Sequence, residues 1–242
     1  MSNEMQNVFG NLTLTDEEIA KLAADAEAFK GKLASAPLSR IKLSAGNQYF
    51  EIPDVGNVQE LCCVIVDSKW QNARYDHPYN DKDIIAPGCF AVGDSDKTML
   101  ADMNAPKPTL NPDTGMAMVC AECPHNQFGT SANGKGKLCR NSRLLALVDC
   151  DDLSGQLYFL SVPPASLQGF DTYVRQLVNQ RIPPSLVKTI ISLDKKQRYA
   201  KLLFKSEGVL DLNQYELIKA RRLECADRLT QAPDYSNYPQ GK

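Results

Sequence analysis

A β-rich α+β domain, interrupted by an irregular cysteine-bearing insertion and flanked by helices, is the fold class the sequence predicts. Three observations predict it. Apolar runs of strand length, at 61–66, 144–148 and 157–162, stand on both sides of a stretch from about 71 to 118 in which periodicity is lost. Helix-period stripes stand at 15–34, 166–178 and 211–229. Four cysteines, Cys89, Cys120, Cys123 and Cys139, fall in or beside the irregular stretch, where a loop of that length needs something other than a core to order it.

In chain order, 15–34 reads as an amphipathic helix opened by Thr15 and Glu18 at capping-box spacing, with Ile19, Leu22, Ala23, Ala26 and Leu33 on one stripe. Residues 40–52 and 58–67 read as strands. Cys62 and Cys63 are adjacent, so they point to opposite faces and are expected as small core residues. Pro78, Pro87, Pro106, Pro108 and Pro112 then punctuate the chain. Ser166 is expected to cap a helix with the stripe Leu167, Phe170, Val174, Leu177 and Val178. Residues 187–193 alternate as a strand, and 198–206 pair with it. A last helix starts at Asp211, with Gln214 three residues on. The expected organisation is a helical segment over 1–38, a main domain over 39–230 with the insertion at about 76–143, and a mobile polar tail over 231–242.

Composition excludes some classes. The 242 residues are 43% hydrophobic and 23% charged, which fits neither disorder nor a membrane protein. No apolar run approaches the roughly 20 residues that span a bilayer. The opening Met1-Ser2-Asn3-Glu4 lacks signal-peptide character, so a soluble, cytoplasmic protein with no membrane partner is expected. In such a compartment the eight cysteines are expected as thiols or metal ligands rather than disulfides.

Cys120-Ala121-Glu122-Cys123 places two thiolates on one side of a tight loop, half of a tetrahedral zinc site. Cys139 supplies a third ligand and Cys89, after the turn signal Pro87-Gly88, the fourth; His125 and Cys150 compete for that place. A redox Cys-x-x-Cys would open a helix after a strand, whereas Pro124 and a Gly/Asn loop follow here. Four thiolates leave no open position for water, so the expected zinc is structural.

The net charge is −2, so only a local surface could bind nucleic acid. Lys135, Lys137, Arg140 and Arg143 lie within nine positions free of acids, beside Phe128. A second basic segment holds Lys188 and Lys201 with Tyr199, while Trp70, Tyr75 and Tyr79 offer further rings. Cations that neutralise phosphates beside rings that stack bases suit single-stranded nucleic acid. The alternative is a solvated, aggregation-resistant edge. Asp149, Asp151 and Asp152 could hold magnesium in a nuclease-like site, but a turn explains them more simply.

The pattern Pro87-Gly88-Cys89, Cys120-x-x-Cys123-Pro124-x-Asn126-x-Phe128-Gly129-Thr130 and Gly134-Lys135-Gly136-Lys137-x-Cys139 resembles a family of bacteriophage and prophage proteins, over roughly residues 60–230. The stretch Val162-Pro163-Pro164-Ala165-Ser166-Leu167 and Tyr173 look like the same family. The resemblance implies that the four cysteines are shared, which supports Cys89 as the fourth ligand. At greater distance the arrangement is similar to the T-even phage helix-destabilising protein, a zinc-containing OB-fold that coats single strands. An acidic tail common to such proteins is missing here, since 231–242 holds one acid, Asp234. The expectation is an OB-like domain with a four-cysteine zinc-binding insertion. It binds single-stranded DNA in phage DNA replication or recombination, without catalysis, in the host cytoplasm and beside phage replication or recombination proteins. The alternative is a zinc-stabilised module that docks on a host or phage enzyme.

Overall fold

The computed structural model describes residues 38–44, 46, 48–76 and 86–231, and ahead of these Thr15, Glu17, Glu18, Lys21, Leu22 and Asp25. The rest of the expected 15–34 helix, Tyr79, His77 and the tail beyond residue 231 lie outside the described residues. The chain divides into two units, Met1–Pro37 and Leu38–Lys242. In the first, Glu17, Glu18, Lys21, Leu22 and Asp25 are helical. The capping box forms: Glu18 N–H donates to Thr15 Oγ1 at 3.4 Å and Thr15 N–H to the Glu18 carboxylate at 2.8 Å.

The second unit is mixed α+β, mostly one curled sheet with two helices. Its strands are β1 (Arg40–Ser44), β2 (Tyr49–Ile52), β3 (Gly56–Val58), β4 (Glu60–Arg74), β5 (Cys89–Gly93), β6 (Cys139–Asp149), β7 (Tyr158–Val162), β8 (Val187–Leu193) and β9 (Leu202–Val209). They lie in the order β3-β2-β1-β7-β6-β4-β8-β9, with β5 paired to β4 off that path. Only β1 and β7 pair in parallel among these. The curl brings the β1–β2 turn to the β8–β9 turn, where Gln48 Nε2 donates to Gln197 O at 3.4 Å.

β4 is the spine. Its first five residues pair with β8, its last five with β5, and nearly its whole length pairs with β6 on the other edge. The apolar run at 61–66 is continuous because both of its faces are covered. Leu61, Cys63 and Ile65 join Leu145, Leu147, Leu160 and Val162 beneath Phe170, Tyr173 and Leu177 of helix α1 (Pro164–Asn179). Val64 and Val66 join Leu144, Ala146, Val148 and Phe159 against Ile218, Cys225 and Leu229 of helix α2 (Leu212–Thr230). A bulge between Ile65 and Asp67 marks where β4 turns polar, yet the strand runs on to Arg74.

Asp211 caps α2 as the sequence predicts: its carboxylate accepts from Gln214 N–H at 2.9 Å, and Gln214 Oε1 accepts from Asp211 N–H at 3.0 Å. Asp211→Ala is expected to remove about 1 kcal/mol and lower the melting temperature by roughly 2–4 °C. Ser166 is not the cap of α1. It lies one turn inside, behind Pro163 and Pro164, and its buried hydroxyl accepts from Leu202 N–H at 2.8 Å, tying α1 to β9. That bond uses the oxygen a cap would have needed.

The expectation that no cysteine pairs is corrected. Cys62 and Cys150 form a disulfide with Cα atoms 5.6 Å apart. Cys62 N-terminal to the bulge and Cys150 just past the end of β6 stand side by side, with Cys150 N–H donating to Cys62 O at 3.3 Å. Cys62 and Cys63 do point to opposite faces, and Cys63 stays a buried core thiol that donates to Thr189 O.

Candidate metal centre and its basic loop

β4 is polar beyond its bulge because its far end floors a site rather than a core. Arg74 is cross-strand partner to Cys89, the first residue of β5, and to Cys139, the first residue of β6. From Ser95 to Met118 an arm leaves β5 with little regular structure. It returns through the isolated bridges Leu100–Val119 and Leu110–Ala117. Cys120 N–H then donates to Met99 O at 2.8 Å and Glu122 N–H to Val119 O at 3.0 Å, which tightens the Cys120–Cys123 turn. A 3₁₀ turn, Pro124–Asn126, closes it. Cys89, Cys120, Cys123 and Cys139, all buried and free of disulfides, thereby line one cavity of about 10 Å³ with Asn72, Arg74, Thr109, His125 and Asn126. That is room for about one water-sized sphere.

The chemistry of the wall suits sulfur that carries charge. Asn72 is buried, lines the cavity with Cys120 and favours its thiolate, and Thr109 Oγ1–H donates to Cys89 Sγ at 3.7 Å. Three buried or half-buried asparagines interlock beneath. Asn141 Nδ2 donates to Asn72 Oδ1 at 2.6 Å and to Asn126 Oδ1 at 2.9 Å, and Asn126 Nδ2 donates to Cys120 O at 2.8 Å. Without an ion Cys120 and Cys139 hold their protons. Burial pushes Cys139 up to about 12 and Cys120 up to about 11, with Asn72 opposing the rise at Cys120. A metal would therefore displace protons on entering.

Among the described residues, the group whose ligand atoms all lie within 4.8 Å of one another is a different one, Asp149, Cys150 and Asp151, which could hold a metal ion. The four cysteines ring their cavity more widely. Chemistry still favours the cavity. The sulfur of Cys150 is bonded to Cys62, and Asp149 and Asp151 are exposed. The acids are used in turns: Asp149 Oδ1 accepts from Asp151 N–H at 2.8 Å, and Asp152 Oδ1 accepts from Ser154 Oγ at 3.2 Å.

The loop from Gln127 to Leu138 holds its shape through its own hydrogen bonds. Gly129 and Ser131 N–H both donate to Gly136 O, Gly136 N–H donates to Ser131 Oγ, and Thr130 Oγ1 accepts from Leu138 N–H. Gly134 sits at φ 69°, a left-handed turn position suited to glycine. This loop displays Lys135 in solvent and Phe128 at 81% exposure, with Lys137 Nζ 5.2 Å from the Phe128 ring centroid, and Arg140 is exposed two residues past Leu138, at the start of β6. Among the described residues none of these three cations forms an ion pair.

The other expected nucleic-acid residues divide. Arg143, expected on phosphate, packs on rings: its guanidinium lies 4.2 Å from the Trp70 ring centroid and 5.3 Å from that of Phe170, with Asp171 at 3.9 Å. Burial pulls it below the usual guanidinium range, opposed by Asp171 and Asp96. Trp70, expected at a groove edge, is half-buried against Ala91, Met99 and Cys120 with one face taken by Arg143. Arg143→Ala is expected to change the emission of Trp70, the single tryptophan, while leaving oligonucleotide affinity within about twofold; a large affinity loss would return Arg143 to the binding surface. Tyr75 is 41% exposed just past β4.

Lys188, Tyr199 and Lys201 do not share a patch with the loop. Lys188 pairs across from Val64, and Cys139 from Arg74, ten residue steps along β4 and so roughly 33 Å away. Tyr199 and Lys201 lie in the turn beyond β8, and Lys201 is engaged by Asp194 at 3.6 Å. Conversely, Asn72, Arg74, Thr109 and Asn141 carry no motif spacing; the one available signal is that Asn141 follows Cys139 by two residues, the same-face step of a strand.

Comparison of the chain with protein-family models, curated proteins and solved structures finds no match.

Proposed function

We propose that this chain is a non-catalytic single-stranded DNA-binding protein of phage DNA replication or recombination, with one structural zinc held by Cys89, Cys120, Cys123 and Cys139. The phage setting follows from the family resemblance of the cysteine motif. Zinc suits an all-thiolate donor set in a buried, ion-sized space, and four sulfurs leave it no open position for catalysis. What supports DNA is the loop that the centre would hold and the strand start after it: Lys137 over the exposed ring of Phe128, with Lys135 and Arg140 exposed in the same acid-free run. Cations beside a stacking ring are what a single strand requires, and what a duplex, its bases stacked away, uses less well. From the OB-like reading we retain a curled sheet that presents one loop cluster; nine strands and the parallel β1–β7 pair exceed a five-stranded OB barrel.

A second reading, a zinc-stabilised module that docks on a phage or host enzyme, is favoured by apolar side chains on the arm: Met116, Met103 and Leu100 are 70%, 56% and 51% exposed. A salt series on oligonucleotide binding separates the two. The DNA reading expects affinity for single strands over duplex with a steep negative salt slope; no binding at physiological salt sinks it and leaves the docking module.

A further inference from the structure

Two polar side chains of β4 lie beneath the four cysteines, where the β-strand pattern alone would have placed apolar ones. Asn72 is 4% exposed. Its oxygen is taken by Asn141, and its side chain lines the cavity with Cys120, whose thiolate it favours. Asn126 holds the carbonyl of the same cysteine, and Asn141 joins both asparagines, so Cys120 is held at its backbone by a network that also fixes Asn72. Arg74 sits between Cys89 and Cys139 in the sheet, its side chain 13% exposed. Nη2 donates to Lys107 O at 3.1 Å and lies 3.6 Å from Asp76, while Nε is buried without a hydrogen-bond partner.

An ion held by four thiolates carries a net charge of about −2 in a buried place, which is costly unless donors and cations offset it. Resting on the reading of the cavity as a zinc site, we propose that Asn72 and Arg74 are positioning residues of that centre: they retain the ion and keep its thiolates unreactive. Asn72 acts on Cys120 Sγ, and Arg74 through its charge between Cys89 and Cys139. Each draws electron density from sulfur, so the sulfur attacks electrophiles less readily and the ion exchanges more slowly. Outer partners of this kind govern metal affinity by about 10- to 100-fold.

The test uses the full zinc-loaded chain and the variants Asn72→Leu, Arg74→Met and Arg74→Lys. Three readings are taken: zinc transfer to excess pyridylazoresorcinol, mass-mapped alkylation by N-ethylmaleimide, and melting temperature at saturating zinc. Asn72→Leu is expected to release zinc about tenfold faster, with Cys120 alkylated first. Arg74→Met is expected to do the same with Cys139 or Cys89 first, and Arg74→Lys, which keeps the charge, to stay within about twofold of the parent. If Asn72→Leu does not fold, Asn141→Ala removes the anchor of Asn72 and is read in the same way. Unchanged release and alkylation order with only a lower melting temperature would overturn the proposal and leave zinc in place. A parent chain that binds no zinc would overturn both.

Discussion

Cys123→Ser is expected to take zinc from one ion per chain to about none and to loosen the arm and the cysteine turn while both sheet cores stay folded. The packing explains the split. The cores under α1 and α2 bury long lists of aliphatic and aromatic side chains, whereas the cluster beside the cysteines is Ala91, Met99 and Cys120 with half-buried Trp70. The arm adds two isolated bridges and a few backbone hydrogen bonds. Such a segment cannot offset its own conformational entropy, about 1–2 kcal/mol per residue for the backbone, so the ion must supply the difference. Structural zinc contributes about 10–16 kcal/mol in small peptides; most of that would be spent locally. The global melting temperature is expected to fall by roughly 10 °C. Cys225→Ser is the control: Cys225 is fully buried on the inner face of α2, so stability drops while zinc stays. Elemental analysis and limited proteolysis read the outcome. Full zinc content in Cys123→Ser, or unchanged protease resistance between residues 94 and 138, would refute the assignment.

The combined variant Lys135→Ala, Lys137→Ala and Arg140→Ala is expected to weaken single-strand binding by one to two orders of magnitude at low salt, with zinc content and melting temperature unchanged. Each lost phosphate contact removes about 0.7 from the salt slope on a single strand, so three remove about two units. Fold should survive, since Lys135 and Arg140 are exposed and the loop is held by its own backbone and hydroxyl bonds. Phe128→Ala should cost about 1–3 kcal/mol with no change of slope, because a stacking ring carries no charge. The contrast between a slope effect and an affinity effect tells phosphate contact from stacking. A triple variant that binds as the parent does would move the reading to protein docking through Met103 and Met116.

How much of this was legible in the sequence follows from what each segment needs. The runs at 61–66, 144–148 and 157–162 are apolar because helices cover the sheet on both faces, and their strands could be read directly. So could the cap at Asp211, a local side-chain contact. The polar half of β4 could not: Ser68, Lys69, Gln71 and Asn72 look like loop, and pairing with β6, joined from Trp70 on by β5 on the other edge, makes them strand. The metal-site residues with motif spacing could be nominated, while Asn72, Asn141 and Arg74 become neighbours of the cysteines through register across three strands. The disulfide escaped for the same reason, since Cys62 and Cys150 are 88 residues apart and meet only when β4 and β6 pair. Arg143, a basic residue in an acid-free run, looks solvated, yet in β6 its face turns to Trp70 and Phe170.

The Cys62–Cys150 link makes the region between its ends a covalent ring that contains β5, the arm, the cysteine turn and the basic loop. A protease that cuts once anywhere inside that ring opens it without parting the molecule. On a gel run without reductant the nicked chain would migrate as a single species of full mass, and two pieces would separate only after reduction. Damage to the exposed arm therefore leaves both halves of the sheet joined, and a preparation judged intact by mass alone can already be cut.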